Sequence, residues 1–378
     1  MSRTLSLILV FGGRSGEHEV SVQSATSIAA ALDPKKYDVV PVRIDKRGRW
    51  SLDPSILPAD RRKGLAKGAR RHLVPDASVG HLLDENGKPA ERIDVVFPIV
   101  HGTYGEDGCL QGLLELAGHA YVGSGVLGSS VGMDKAVQKR LLAQAGLPVV
   151  PFIAFGAAAW KKDRASLTGE IAKTLGFPCF VKPANLGSSV GVSKAHHLRE
   201  LADAIALAHA YDATAIVEKA VPKAREIECA VLGGATPTAS VLGEIVPSNE
   251  FYDYNAKYVD GKSATIVPAD LPQALTERIR GYALATFAAL GAEGMARVDC
   301  FVGPESLDIV VNEINTLPGF TSISMYPKLW AASGLPYPEL LDRLVAIALD
   351  AAMAKRAISR SYEPAPAKKP AKPARARA

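Results

Sequence analysis

The chain has 378 residues, of which 48% are hydrophobic and 22% charged, with a formal net charge of +5; at ~150 residues per domain this is an ordinary globular composition for two or three domains. No apolar run reaches the ~18 residues that span a bilayer, and the N-terminus enters a strand pattern without a signal-peptide layout, so no membrane association and a cytoplasmic location are expected. Cys109, Cys179, Cys229 and Cys300 are scattered through apolar stretches without a C-x-x-C pair, which points to reduced core thiols rather than disulfides or a zinc site.

Leu5 to Phe11 is a continuous apolar run ending in Gly12-Gly13, the pattern of a buried parallel strand that meets a ligand-facing loop. A helix over Val22 to Leu32 and a strand over Tyr37 to Ile44 complete a β-α-β unit of a doubly wound sheet. The spacing Gly12, Gly13, Gly16 does not fit G-x-G-x-x-G. Glu17 lies just past the strand end, where such sheets bind ligands, although an acid at a helix start is also simply solvated. From Asp53 to Arg92 the periodicity fails; Arg61, Arg62, Lys63, Lys67, Arg70 and Arg71 form a basic patch, Asp84-Glu-Asn-Gly87 a hairpin turn, and the stretch is taken as a surface insertion. A strand over Ile93 to Val100 leads into the polar loop His101-Gly-Thr-Tyr-Gly-Glu106-Asp107-Gly108 and a helix over Cys109 to Leu116. His101, at a strand end, is a site candidate. Gly123-Ser-Gly125-Val-Leu-Gly128, after a strand at Ala120 to Val122, formally matches the dinucleotide fingerprint, but no acid follows ~20 residues on to hold a ribose. Met133-Asp134-Lys135 falls on the following helix and makes Lys135 a candidate phosphate contact.

Phe180-Val-Lys182 and the Gly187-Ser188-Ser189 loop form strand, turn and strand without a Walker signature; a hydroxyl-rich flap of this kind can still fold over phosphates. Leu198 to His209 is helical, Ala215 to Val221 a strand, and Arg225-Glu226-Ile-Glu228 begins another that pairs onward with Thr238 to Val246. Between Pro247 and Ser263 the loop Phe251-Tyr-Asp-Tyr-Asn-Ala-Lys257-Tyr258 is too long for a tight hairpin and has the character of a lid. After a helix over Gln273 to Leu290, Met295 to Val302 and Ile309 to Asn315 alternate around Gly303-Pro-Glu-Ser, an antiparallel hairpin that places Arg297, Asp299, Glu313 and Asn315 on one face. Two carboxylates and an amide are hard oxygen donors suited to magnesium; in isolation they would equally serve as a solvated strand face. Helices at about Ile323 to Ala332 and Pro338 to Lys355 close the fold. From Glu363 to Ala378 five Lys and Arg residues face one acid, which accounts for +4 of the net charge; this Ala, Pro, Lys and Arg tail cannot bury a core and is expected to be disordered, with a nucleic-acid partner not expected.

With Lys182, the Gly187-Ser-Ser loop, Glu218, Glu226, Arg297, Asp299, Glu313 and Asn315, the chain resembles an ATP-grasp carboxylate-amine ligase. Gly12-Gly-Arg-Ser-Gly-Glu-His-Glu-Val-Ser21, the His101 to Gly108 loop, Phe251 to Tyr258 and Asn312-Glu-Ile-Asn-Thr-Leu-Pro-Gly319 narrow the resemblance to the D-alanine:D-alanine ligase family, over residues 4 to 355. The resemblance implies an α/β and α+β architecture: an N-terminal doubly wound parallel-sheet domain at 1–123 with the insertion at about 53–92, then a two-domain ATP-grasp fold with a central domain at 124–217 and a C-terminal domain at 218–362 carrying the lid at 248–263. It implies ATP as co-substrate, two Mg²⁺ ions for which Mn²⁺ can substitute, D-alanine as substrate and a homodimer.

In that family the lysines matching Lys135, Lys182 and Lys257 hold phosphates, the acid matching Glu226 grips the ribose, and Glu218, Lys219, Ala220 and Val221 match the adenine strand. Asp299, Glu313 and Asn315 match magnesium ligands. Glu17 matches the group that receives the first D-alanine's ammonium, linked through Ser188 to Tyr258 on the lid. His101, Arg297, the Gly319 amide and Ser324 match groups around the reacting carboxylates, with Met325 beside them. The implied reaction phosphorylates one D-alanine with ATP and lets the amine of a second attack the acyl phosphate. Relatives that take D-lactate or D-serine as second substrate differ at the Tyr258 position, where tyrosine resembles the dipeptide-forming type; such a sister ligase is the alternative.

Overall fold

The computed structural model describes residues 3–246, 264–304 and 308–359. Lys257 and Tyr258, with the rest of the expected lid, and the basic tail lie outside the described residues.

Three sheets organise the chain. In the first, β1 (Leu5–Gly12) leads to α1 (His18–Ala31), β2 (Tyr37–Ile44) and β3 (Trp50–Leu52); a small hairpin, β4 (His81–Leu83) and β5 (Pro89–Arg92), then precedes β6 (Val95–Ile99) and α2 (Cys109–Leu116). The strand order is β3-β2-β1-β6, with β1 parallel to both neighbours and β3 an antiparallel edge. Leu7 to Phe11 are fully buried because β1 is paired on both sides and covered on both faces. Helix α1 starts four residues before the expected Val22. Its first turn is polar, yet His18 and Ser21 are buried because they bond inward, His18 Nδ1 2.8 Å from the Gly13 carbonyl and Ser21 Oγ accepting from Gly12 N at 2.7 Å. The expected strand at Ala120 to Val122 is reduced to one parallel bridge, Tyr121 on Val96.

The basic stretch between β3 and β5 is largely spent on internal contacts. Arg61 donates to the carbonyls of Ala29 and Leu32 at 3.1 and 2.9 Å, closing the C-terminus of α1. Arg71 forks onto Glu91 with both bonds at 2.5 Å. The turn at Asp84 to Gly87 forms as the sequence predicts, with the Asp84 carboxylate accepting from the amides of Asn86 and Lys88.

The middle of the chain comprises α3 (Val126–Met133), α4 (Lys135–Gln144), β7 (Phe152–Gly156), α5 (Ala157–Lys162), α6 (Arg164–Thr174), β8 (Cys179–Pro183), β9 (Ser193–Ala195), α7 (Leu198–Tyr211) and β10 (Thr214–Lys219). Its strands form the antiparallel sheet β7-β10-β8-β9. Met133-Asp134-Lys135 is a junction and not a continuous helix: the Asp134 carboxylate accepts from Ala136 N and Val137 N at 3.0 and 2.9 Å, so it caps a new helix and sets Lys135 in the first turn of α4.

The last sheet, β13-β12-β11-β14-β15, is antiparallel. It is built from β11 (Arg225–Gly233), β12 (Thr238–Val246), β13 (Ala264–Ile266), β14 (Gly294–Val302) and β15 (Ile309–Asn315), with α8 (Gln273–Ala289), α9 (Met325–Ala332) and α10 (Tyr337–Arg356) on its faces. Ala296, Val298, Cys300 and Val302 join Ile279 and Phe287 of α8 in one core. Met295, on the opposite face, joins Phe97, Phe320, Tyr326 and Leu344 in a second core shared with the N-terminal sheet. Beyond Met295 that second face carries Arg297 and Asp299, which are only partly buried.

Candidate active site

Arg297 pairs with Asn315 and Asp299 with Glu313 across β14 and β15, so the four polar residues share one face. One local feature makes this possible. Strict alternation along Ile309-Val310-Val311-Asn312-Glu313 would point Glu313 to the side of Ile309 and Val311, into the core. A bulge intervenes: Asp299 pairs with Glu313 but Cys300 with Val311, leaving Asn312 as the extra residue. After it Ile314 is the buried residue and Glu313 faces the site.

Two cavities meet there. One, of about 530 Å³, lies between the second and third sheets and is lined by Phe180, Lys182, Glu218, Val221, Glu226 and Asp299 among others, including Lys219 and Ala220. The other, of about 130 Å³, is bounded by Glu17, His101, Asn315, Gly319, Ser324 and Met325. Lys135, Gly187, Ser188, Glu228, Arg297 and Glu313 line both. Thus the described candidate residues are gathered around one joint, although they come from stretches as far apart as Glu17 and Met325.

At the joint, Arg297 donates Nε and Nη2 to the two oxygens of Asp299 at 2.7 Å each, and its Nε lies 3.2 Å from Glu228. Burial disfavours the guanidinium charge, but Asp299 and Glu228 outweigh it and hold Arg297 firmly protonated. Lys135 donates to the Leu186 carbonyl of the flap at 2.7 Å and lies 3.5 Å from Glu313. Lys182 donates to Glu218 Oε2 at 2.7 Å, and Lys139 lies 3.3 Å from Glu218 Oε1. Burial alone would raise the Glu218 carboxyl, yet the two lysines hold it below the ordinary carboxylate range. The Asn315 side chain accepts from Leu317 N at 2.9 Å, which fixes its oxygen.

The small cavity is tied to the flap. Ser188 Oγ donates to Glu17 Oε1, joining the β8–β9 turn to the start of α1. Ser188 and Ser189 hold φ of 50° and 57°, a left-handed conformation that costs a non-glycine residue on the order of 1 kcal/mol each. Gly102 must be glycine: its φ is +75° and a Cβ would come 2.7 Å from Glu17 Oε2. His101 lies with Nδ1 3.3 Å from Glu106 and Nε2 3.2 Å from Ser24 Oγ. Burial works against its cation, but Glu106 and then Glu17 raise its pKa above the ordinary value. Ser324 Oγ accepts from Thr321 N at 3.0 Å, a Cβ on Gly319 would sit 2.7 Å from that oxygen, and both residues line the small cavity.

Glu228 and Glu106 at the joint, and Lys139 behind it, carry no role in the sequence expectations. Glu228 follows Glu226 by two on β11, and period-2 alternation was its available signal. Glu106 was visible only as part of a polar loop. Lys139 follows Lys135 by four residues on α4, and helical spacing alone does not distinguish it from a surface lysine. In the other direction, β10 stops at Lys219, so Ala220 and Val221 border the nucleotide-sized cavity from a connection leading to Pro222 rather than from a strand. Cys179, Cys229 and Cys300 are buried as expected, with burial pushing the Cys229 thiol up to about 12, but Cys109 is exposed at the start of α2.

A nucleotide-sized cavity that shares a charged wall with a small polar one is an arrangement suited to an ATP-dependent ligase of the ATP-grasp class. Two family descriptions match the chain, "D-ala D-ala ligase N-terminus" over residues 6–124 and "D-ala D-ala ligase C-terminus" over 141–346. A D-alanine–D-alanine ligase of Chloroherpeton thalassium is 50% identical over 352 residues, 90% of this chain and 95% of that one. D-alanine–D-alanine ligase A of Escherichia coli K12 is 48% identical over 359 residues, 93% and 97% of the two chains. Among solved structures, the D-alanine-D-alanine ligase of Coxiella burnetii matches with a TM-score of 0.82 at 37% identity, covering 94% of this chain and 97% of that one. The VanG D-Ala:D-Ser ligase of Enterococcus faecalis matches with 0.80 at 34%, covering 92% and 100%. The chain belongs to the D-alanine–D-alanine ligase family and is a ligase.

Proposed function

We propose that this chain joins two D-alanine molecules to D-alanyl-D-alanine, a peptidoglycan precursor, with ATP converted to ADP and phosphate. The observation that carries this is the shared wall: a cavity for a nucleotide and one for a small amino acid meet where Lys135, Ser188, Arg297 and Glu313 line both. A carboxylate is a poor electrophile because it would have to expel oxide, so it is first phosphorylated, and the transfer has to occur at such a junction. Lys135 and Lys182 hold the phosphates and offset the charge that develops on the leaving diphosphate. Glu226 takes the ribose and Glu218 to Val221 border the base. Glu17 receives the ammonium of the first D-alanine. Arg297 and the Gly319 amide steady the oxyanion formed when the second amine attacks, a contribution of about 3 kcal/mol per donor. His101 and Ser324 orient the carboxylates beside Met325. Lys257 and Tyr258 belong to the same proposal, as phosphate ligand and as lid partner of Ser188.

Asp299, Glu313 and Asn315 fit two Mg²⁺ ions in chemistry: all three offer oxygen, and the first two face each other in register. Among the described residues no three His, Cys, Asp or Glu side chains could hold a metal alone, which suits an ion that takes one or two carboxylates and completes its shell with phosphate oxygens and water. When bound, such ions supply charge neutralisation of the transferring phosphoryl group. Mn²⁺ has the same preferences and is expected to substitute.

The three-domain division falls at 123/124 and 217/218, the second inside β10, which pairs within the middle sheet. A homodimer is supported by Leu116 of α2 and Leu127 of α3, each 68% exposed; light scattering of the wild type and of L127E tests it. A cytoplasmic location is supported by the four free thiols; no helix among the described residues is long and apolar enough to cross a membrane.

The test is phosphate release with ATP, Mg²⁺ and a panel of D-amino and D-hydroxy acids. D-Alanine alone is expected to support turnover; release only when D-serine or D-lactate is added would move the chain to a sister ligase. The 0.80 match to a D-Ala:D-Ser ligase means that the backbone alone does not separate the two.

A further inference from the structure

We propose that Lys139 is a positioning residue for the nucleotide's phosphates: buried behind the cavity, it neutralises Glu218 and so leaves the charge of Lys182 for the triphosphate. The inference rests on the nucleotide reading above. Lys139 is 0% exposed and lines neither cavity, unlike Lys135 one turn earlier on the same helix. A buried ammonium costs several kcal/mol of lost hydration unless it is paired. Methionine would fill the same volume without that cost, so packing alone does not account for a lysine here.

The partners show how the charge is used. Glu218 is 3% exposed and holds a lysine on each oxygen, Lys182 at 2.7 Å and Lys139 at 3.3 Å. Two cations on one carboxylate leave one net positive charge, and of the two only Lys182 faces the nucleotide-sized cavity. Without Lys139 the Lys182–Glu218 pair would be neutral and present little field to an anion. Lys139 also donates to the Asn312 carbonyl at 2.8 Å, holding the bulge residue beside Glu313. One buried ammonium therefore ties the base-side strand β10 to the metal-side strand β15. Burial lowers its pKa from the ordinary lysine value, with Lys182 adding to that and Glu218 opposing it.

The experiment compares Mg-ADP with adenosine by calorimetry in the full chain. In K139M and K139Q the preference for Mg-ADP over adenosine is expected to fall about tenfold, the effect of losing one charge about 10 Å from the phosphates at an effective dielectric of about 20. K139Q keeps a donor for Asn312 and separates charge from hydrogen bonding, and it carries the test if K139M does not fold. In K139Q/E218Q, where the carboxylate is neutral too, the preference is expected to return to within about threefold of the wild type. An unchanged preference in folded K139Q overturns the proposal; so does an equal loss for adenosine and Mg-ADP, or no recovery in the double variant. Failure of the wild-type chain to bind Mg-ADP would instead sink the nucleotide reading, and the inference with it.

Discussion

The β14–β15 ribbon and the β8–β9 flap deliver polar groups to the same joint by opposite means. Apart from the bulge at Asn312, the polar residues of the ribbon alternate with ones sunk in a core, Val298, Cys300 and Val302 on β14 and Ile309, Val311 and Ile314 on β15, so its geometry is set by burial. The flap has no such anchor. Leu186 to Val192 are all half-buried, three of them, Ser188, Ser189 and Gly191, have positive φ, and the turn is held through Lys135 on its Leu186 carbonyl and Glu17 on Ser188. The ribbon's groups sit on an element whose own folding fixes them; the flap's groups sit on one fixed by its partners.

The sharpest way to break this contrast is at Arg297. R297M is expected to lower kcat about a thousandfold by removing an oxyanion donor. It should also cost roughly 3 kcal/mol of stability, because Glu228 and Asp299 lose their counter-charge. Phosphate release and urea denaturation read the two effects; lost stability with intact kcat would mean the ribbon serves the fold alone. Next comes E313Q, for which the Mg²⁺ concentration at half activity should rise at least about tenfold with the fold intact; a metal titration that superimposes on the wild type would remove Glu313 from the ligand set.

At the flap the effects shrink. S188A loses the bond to Glu17, and its KM for D-alanine should rise about tenfold, the equivalent of ~1.4 kcal/mol for a bond to a charged group. S188G loses the same bond but relieves the left-handed backbone, so it should melt higher than S188A by the equivalent of ~0.5–1 kcal/mol. Equal melting of the two would show that the strain is not stored there. The smallest effect concerns pH. His101 has a folded-state pKa raised above its unfolded value, so its contribution to stability is fully present below about pH 6.5 and is lost as pH rises through the folded value. The stability gap between wild type and H101N should accordingly narrow as pH rises above about 6.5 in denaturant titrations.

The ribbon was legible in sequence for the reason that makes it rigid: burial writes a period of two, and Arg297, Asp299 and Asn315 fall out of it. Glu313 obeyed the pattern only through a bulge, which alternation cannot announce. The break at Asp134 was obscured because a capping aspartate between two helical stretches looks like any polar helical residue until its oxygens are seen to take two amides. The early start of α1 was missed because the buried groups there, His18 and Ser21, are polar and bond to backbone. The basic stretch after Asp53 showed its charges but not their partners: Arg61 bonds back to Ala29 and Leu32, and Arg71 forward to Glu91. Lys139 and Glu218 show the same limit inside the site. Pairing between residues 79 positions apart leaves no periodic trace.

The extra residue at Asn312 gives β15 two phases. Upstream of it odd-numbered side chains pack beneath the sheet; downstream the even-numbered ones do. Deleting that single residue would restore plain alternation and leave Glu313 outward and Ile314 inward, whereas flattening the bulge with Asn312 in place would thread an acid into oil; what the extra residue adds is the carbonyl that Lys139 grips.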